Sequence, residues 1–420
     1  MAKGAHDATA ILENLNVTLR NTLEALDREE IKAELAQKLH NDQQLPEKGL
    51  ETLAANTIDL VARVEKLLEP AHLVLADHFL GYTSTKCLVT AVEMRIPDLL
   101  RDQGPLTLEE LASKLGCDPL RLGQILQTLY SVSIFAYDAA ERTYRNSPAS
   151  VLLCSDHWTQ WHNWVSLYGN EFYDIARGIP AAIANSGKEG GARFAAQVNF
   201  DTDLDMFAYF ASQGWVPKLH RTLGGGATAM APGILQDYPW AEVGDKTVMD
   251  IGGGGGGLIV TLLKAHEKMQ GGVYDTANVI SHISDAFLAG GEHGDLAERV
   301  PQGNLVAGDF LRWVPPSEVY TIKWVLHDWT DDDAIVILRN ARKAIIPGEK
   351  SRLVVLESIL SDTRMGRLSR YGNINMMMTA NGRERTEEQW RELIKASGWR
   401  IDNIYPLRNA WVQAIDLRPC

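Results

Sequence analysis

The stretch Lys246–His266, KTVMDIGGGGGGLIVTLLKAH, decides the fold. Thr247 to Ile251 is a short apolar run bounded by polar residues and glycine, which reads as a buried strand. Gly252 to Gly257 follow as six consecutive glycines, and LIVTLLKAH then reads as an apolar helix. Strand, glycine loop and helix in that order open a doubly wound α/β sheet. Glycine lets backbone approach a ligand closely and adopt positive φ, at an entropic cost that needs a reason. A flexible linker is a poor reading of such a run between a strand and an apolar helix. The run contains G-x-G-x-x-G (Gly252, Gly254, Gly257), but six glycines satisfy almost any glycine pattern. It therefore indicates a nucleotide-like ligand without choosing one, and no Lys-Ser/Thr follows to hold a nucleoside triphosphate.

Outward toward the C-terminus, GGVYDTANVI, NLVAGDF, VYTIKWVLHDW and RLVVLESIL are further strand candidates. Helical patterns fall at Asp331 to Ala344 and at Thr386 to Ala396. This alternation predicts an open, mainly parallel, Rossmann-like sheet over residues 239–420, with ligands at the carboxyl ends of the strands. Asp250 ends the first strand and Asp275 the next, 25 residues on. A carboxylate at Asp275 suits the two hydroxyls of an adenosine ribose, and is equally placed to cap the following helix. Asp309 and Phe310 add an acceptor and a ring fitted to an adenine. These features leave NAD, FAD and S-adenosylmethionine all open.

The segment TIKWVLHDWTDDDA carries the most chemistry. Lys323 and His327 lie four residues apart at a strand end, Glu357 ends RLVVLE, and Glu384 sits in NGRERTEEQW. All are expected at one edge of the sheet. A histidine oriented by carboxylates is poised to take a proton from a hydroxyl. The plainer alternatives are a structural histidine, a salt-bridged surface cluster or a helix cap.

The N-terminal half reads as helical. Ile11, Leu12, Leu15, Val17, Leu19, Leu23 and Leu26, then Leu53 to Leu68, recur at largely helical spacing on either side of a loop at Asn41 to Gly49. Residues 1–70 form an arm that either packs on its own chain or makes an oligomer interface, and the latter reading is preferred. Residues 71–154 hold a helix around Leu80 to Val92, then a capping box at Thr107, a helix capped by Asp118-Pro119 and a hairpin in IFAYDAAERTYRNS. That order predicts a winged-helix unit. Its second helix offers Arg121 as sole cation, so a structural role is favoured over DNA binding. Residues 155–238 are helical and aromatic. His157, Trp161, Trp164 and Tyr168 fall on one helix face, lining either a core or a small-molecule pocket.

Composition bounds the partners. The 420 residues are 45% hydrophobic, enough for two or three domains, and 41 Lys+Arg against 54 Asp+Glu leave a net charge of −13. That balance argues against nucleic acid and against an anionic membrane surface. The four cysteines form no CxxC pair and no metal-ligand spacing, so no metal is expected and a reducing compartment suits them. Met1 to Ala10 has no apolar core of a secretory signal, and no apolar run is long enough to span a bilayer. A cytoplasmic location is the expectation.

Taken in order, LTLEELASKLG…ILQTL…IF, MDIGGGGGG, VYDTANVI, AGDF, IKWVLHDW and GRERTEEQW make the chain from about Leu73 onward resemble a family. It is similar to class I S-adenosylmethionine-dependent O-methyltransferases of the plant caffeate/flavonoid type, in their fungal secondary-metabolite branch. The resemblance implies a Rossmann-like domain preceded by a helical winged-helix dimerisation domain, and a homodimer through the N-terminal helices. It implies S-adenosylmethionine on Asp250, Gly252, Gly254, Asp275, Asp309, Phe310 and Lys323, and a general base at His327 flanked by Glu357 and Glu384. It places His157, Trp161, Trp164, Thr228 and Met376 around a small-molecule acceptor. Thr276-Ala277 departs from the family's usual Leu-Pro, and Asn373 stands where many relatives have Asp. Some fungal members of this branch are pericyclases or dehydratases that keep the cofactor without consuming it. That alternative would use His157, Trp161 and Thr228 as donors, with Lys323 or His327 nearby.

Overall fold

The computed structural model describes residues 7–184 and 193–420. Contacts gather the chain into two units, one ending at Thr57 and one running from Ile58 to Cys420. In the first, the helices Ala8–Leu26 and Glu29–Lys38 bury no residue, and Ile11, Val17 and Leu23 are each more than half exposed. The helix read from Leu53 begins earlier, at Lys48. Its start is set by Glu47, whose carboxylate accepts the free N–H groups of Gly49 and Leu50 at 3.0 and 2.7 Å.

In the second unit the helix expected around Leu80 to Val92 runs from Ala71 to Glu93, starting directly after Pro70. Beyond it, Leu106–Thr107 (β1), Phe135–Asp138 (β2) and Thr143–Asn146 (β3) form a small antiparallel sheet in the order β1-β3-β2. Between β1 and β2 lie the helices Leu108–Leu115 and Pro119–Ser131. Thr107 and Glu110 close the expected capping box, and the Asp118 carboxylate accepts from Arg121 N. Leu111, Leu122, Leu126 and Leu129 join Ile96 and Phe135 in one core, which is why this segment folds as a block.

The large sheet uses Thr247–Ile251 (β4), Gln270–Asp275 (β5), Leu305–Ala307 (β6), Val319–Lys323 (β7), Arg352–Glu357 (β8), Trp399–Pro406 (β9) and Gln413–Pro419 (β10). Their order is β6-β5-β4-β7-β8-β10-β9. The strands from β6 to β8 are parallel, and their apolar residues are buried on both faces, as helices on either side of a parallel sheet require. β10 runs antiparallel to both β8 and β9. This C-terminal hairpin, and the helix Arg367–Thr379, are elements that the sequence patterns did not mark. The chain winds outward from β4 to β6 and then returns to β7 on the other side of β4. That reversal opens a crevice beyond the carboxyl ends of β4 and β7, the usual ligand position in such sheets.

The long helix Val216–Asp237 joins the two halves of this unit. Its Gly233 lies so close to the loop before β10 that a Cβ there would overlap the carbonyl oxygen of Arg408. The same loop is tied down by Asp237, whose carboxylate accepts from Arg408 N at 2.9 Å and from its guanidinium at 2.8 Å. Gly233→Ala is therefore expected to destabilise the fold by about 1–3 kcal/mol through overpacking. The check is a lower urea midpoint at unchanged slope.

Candidate active site

Strand register brings the functional side chains together. Asp250 stands opposite Val273 of β5 and Thr321 of β7, and Lys323 opposite Leu356 of β8. The carboxyl ends of β4, β5, β7 and β8 thus lie at one level. The glycine loop adopts φ of 71° at Gly252, 53° at Gly254 and 76° at Gly256, left-handed values that side-chain-bearing residues rarely take. A Cβ on Gly252 would stand 2.7 Å from Val325, whereas one on Gly254 would meet no atom within 4 Å. Gly254 therefore offers bare backbone to whatever sits before it, as a site for a nucleoside-containing cofactor requires.

Two carboxylates lie against this loop. Asp250 is buried beneath it and accepts a hydrogen bond from Thr321 Oγ1 at 2.6 Å. Burial pushes its pKa up to about 6, against the pull of Lys323. Asp275 Oδ2 accepts from Gly254 N at 3.0 Å, and Oδ1 from Thr276 N at 2.7 Å. Thr276 occupies the N-cap position of the next helix, without a side-chain capping bond, so Asp275 is not its N-cap. Asp309, exposed two residues past β6, accepts from Leu311 N at 2.9 Å, and Phe310 packs edge-on against Trp329. Lys323 is half-buried, with Nζ 4.8 Å from the Trp324 ring, and desolvation lowers its pKa.

His327 lies in a short 3-10 turn, Leu326–Asp328, and is buried. Its Nδ1 is 3.0 Å from Glu384 Oε1 and 3.5 Å from Glu357 Oε2. Glu357 is fully buried at the end of β8, and its Oε1 accepts from Val325 N and Leu326 N at 2.9 and 2.8 Å. Both glutamates therefore serve the turn, one by its backbone and both by its ring. Burial alone would lower the histidine's pKa, but Glu357, Glu384 and Asp328 outweigh it and lift it to about 9. Burial raises Glu357 to about 7, despite the opposing pull of His327. These three side chains also bring donor atoms within 4.8 Å of one another, near enough to consider a metal. However, the 3.0 Å Nδ1–Oε1 separation is that of a hydrogen bond, and a proton on the imidazole already balances charge there. Nε2, 3.8 Å from Asp328 Oδ1, remains as the ring atom for a reaction partner.

The structure corrects the aromatic stripe. The helix starts at Trp161 behind Gln160, which has φ 55°, so His157 lies outside it rather than on its face. His157 is buried with Nδ1 2.7 Å from Thr159 Oγ1. Trp161 and Trp164 instead meet Trp324 and Trp411, with ring centroids 4.6–6.5 Å apart. Trp164 is core: a Cβ on Gly226 would overlap its ring. Trp161, Trp324 and Trp411 each keep part of their surface exposed. Thr228 is exposed and its hydroxyl donates to Gly224 O in its own helix, so the donor role expected of it is already occupied. Met376 is half-buried in the helix Arg367–Thr379, one turn beyond Asn373. Asn373 Oδ1 accepts from Glu384 N at 3.0 Å. Trp411 and Trp324 had no sequence signal beyond being tryptophan.

Comparison with known proteins places these features in a family. A model of the O-methyltransferase domain matches residues 243–400, and one of the O-methyltransferase dimerisation domain matches residues 76–156. The chain is 58% identical to O-methyltransferase aclM of Aspergillus oryzae, over 97% of its own length and 94% of that protein's. It is 46% identical to O-methyltransferase verK of Clonostachys rogersoniana, covering 98% of this chain and 100% of that protein. Among solved structures, the SAH-bound form of CalO1, a methyltransferase in calicheamicin biosynthesis, superposes with a TM-score of 0.69 at 25% identity. That match covers 83% of this chain and 98% of CalO1.

Asn373→Asp keeps the acceptor for Glu384 N but adds a negative charge to the three carboxylates already near His327. Its expected effect is a further rise in the His327 pKa, read by NMR titration of the imidazole against the unaltered protein; an unchanged titration would show that this charge is screened.

Proposed function

This chain belongs to the family of O-methyltransferases, and on that premise we propose that it methylates a phenolic or enolic hydroxyl of a small-molecule secondary metabolite, with His327 as general base. The observation that carries the reading is the pairing of His327 Nδ1 with Glu384 and Glu357, which leaves Nε2 as the proton acceptor. When bound, S-adenosylmethionine supplies an electrophilic sulfonium methyl, so the protein's task is alignment and removal of one proton. Gly252 and Gly254, with Asp275 behind them, are the residues proposed to hold it, joined by Asp309, Phe310 and Lys323. The bare backbone at Gly254 fits such a group.

A phenol titrates at about 10, so a base near 9 receives its proton at a cost of only about 1.4 kcal/mol. The two carboxylates that raise His327 also stabilise the imidazolium it becomes and hold the ring with Nε2 outward. The partly exposed faces of Trp161, Trp324 and Trp411 support a planar, apolar acceptor, which stacks on indole without a directional bond. A homodimer is supported by the dimerisation-domain match and by Phe79, Leu80 and Tyr82 within it, which are each at least half exposed in one protomer. Among the described residues no helix is long and apolar enough to cross a membrane.

Methyl-labelled S-adenosylmethionine and a panel of phenolic and enolic acceptors test the reading: label should enter the product, and His327→Ala should lower kcat by about 10²–10⁴-fold. Turnover that survives His327→Ala, with no S-adenosylhomocysteine formed, would replace it with a pericyclic reaction. The pH profile gives a separate check. The base works only when deprotonated, so kcat/KM should climb with pH through the range toward about 9, and Glu384→Gln should move that limb downward.

A further inference from the structure

The residue after Glu384 does something different from its neighbour. Arg385 is completely buried, and every nitrogen of its guanidinium has a partner. Nη1 donates to Leu326 O and Nη2 to Trp329 O, both at 2.8 Å, while Nε donates to Asp331 Oδ1 at 2.9 Å. The group also lies over the Trp390 ring, 5.3 Å from its centroid. Leu326 and Trp329 are the residues on either side of His327-Asp328, so one planar fork grips both ends of the turn that carries the imidazole. Asp331 begins the helix Asp331–Ala344, which fixes that grip to a rigid element.

The rest of the NGRER segment completes the contact. Arg383 N donates to His327 O at 2.8 Å. Gly382 passes so close that a Cβ would overlap that same carbonyl. On its far side Arg385 O accepts from Leu360 N at 2.8 Å, tying the segment to the chain that leaves β8. Three consecutive residues therefore act on the turn that carries the histidine: Arg383 on the His327 carbonyl, Arg385 on the carbonyls of Leu326 and Trp329, and Glu384 on the ring.

We infer that Arg385 is a positioning residue, a guanidinium fork that sets the placement of the His327 turn against Glu384 and Glu357. Fully buried, with its donors engaged by the protein, it offers no surface to a cofactor or acceptor and acts through the placement of His327. The inference rests on the reading of His327 as the base, and its geometric half stands apart from that reading. Lysine does not replace the fork, because an ammonium lacks the planar, rigid set of donors that reaches two carbonyls and a carboxylate at once. A loss of alignment of about 1 Å at a reacting group costs on the order of 10²-fold in rate.

The experiment compares the full-length protein with Arg385→Met, Arg385→Lys and Asp331→Ala. Each is assayed for kcat, for S-adenosylmethionine affinity by calorimetry and for the downfield imidazole N–H proton resonance of a carboxylate-bound histidine, assigned by its absence in His327→Asn. The groups facing that ring are Glu357, Glu384 and Asp328, and none of them is altered. Arg385→Met is expected to lower kcat on the order of 10²-fold, Arg385→Lys to recover only a part, and cofactor affinity to stay within about twofold. The resonance should be lost or broadened. An unchanged kcat and an unchanged resonance in Arg385→Met would overturn the inference, as would a fall in kcat matched by an equal loss of cofactor affinity. If Arg385→Met does not fold, Asp331→Ala decides, since Asp331 is half exposed and its truncation removes the acceptor of one arm of the fork: a weakened resonance supports the inference and an intact one overturns it. If no methyl transfer is found in the unaltered protein, the base reading fails while the resonance still reports on Arg385.

Discussion

A protonatable imidazole held between two carboxylates, out of water, is the constraint on which the rest of this structure depends. Removing an ion from water costs several kcal/mol, and neighbouring charges recover it only when the geometry is good and the remaining polar atoms are satisfied. Glu357 meets that requirement at Oε1, through two backbone N–H groups of the same turn that carries His327. Glu384 meets it through the ring on one side, and its backbone is fixed by Asn373. Oε2 of each glutamate has no hydrogen-bond partner, and that of Glu357 lies 3.5 Å from the imidazole, so the histidine is the cationic neighbour that both share.

Strand order supplies the geometry. Because β7 and β8 are parallel and in register from Val319–Arg352 to Lys323–Leu356, their ends coincide, and Glu357 lands beside the turn that follows Lys323. Trp324 accepts a φ of 55° at that point. Such a left-handed conformation costs a non-glycine residue about 1–2 kcal/mol. The strain bends the chain from β7 into the 3-10 turn and brings Trp324 to the other indoles. The glycine loop follows the same logic at the end of β4, where backbone rather than side chain must face the ligand.

Much of this was legible. The parallel part of the sheet, the glycine loop, the capping box at Thr107 and the placing of His327 and Glu357 at the ends of apolar runs follow from local patterns, whereas Glu384 stands in a polar segment with no such mark. The β9–β10 hairpin was not legible, since its burial comes from β8 and the helix Glu387–Ala396 rather than from any alternation of its own. The helix Arg367–Thr379 was hidden by Gly372 and two asparagines, poor helix formers that tertiary packing overrides. His157 was assigned to a helix face by counting, and a left-handed Gln160 broke that count.

By itself, then, the sequence determined which residue types stand at strand ends, because hydrophobic period and glycine punctuation are local properties. It thereby determined the fold class and the chemistry offered at one edge of the sheet. Only the tertiary structure decided which of those groups touch. Trp411 meets Trp161 across 250 residues of chain, and Asn373, Glu384 and Arg385 close on His327 from two further elements. Contacts of that kind depend on how strands are ordered and how closely helices pack, and no short-range pattern in a chain records either.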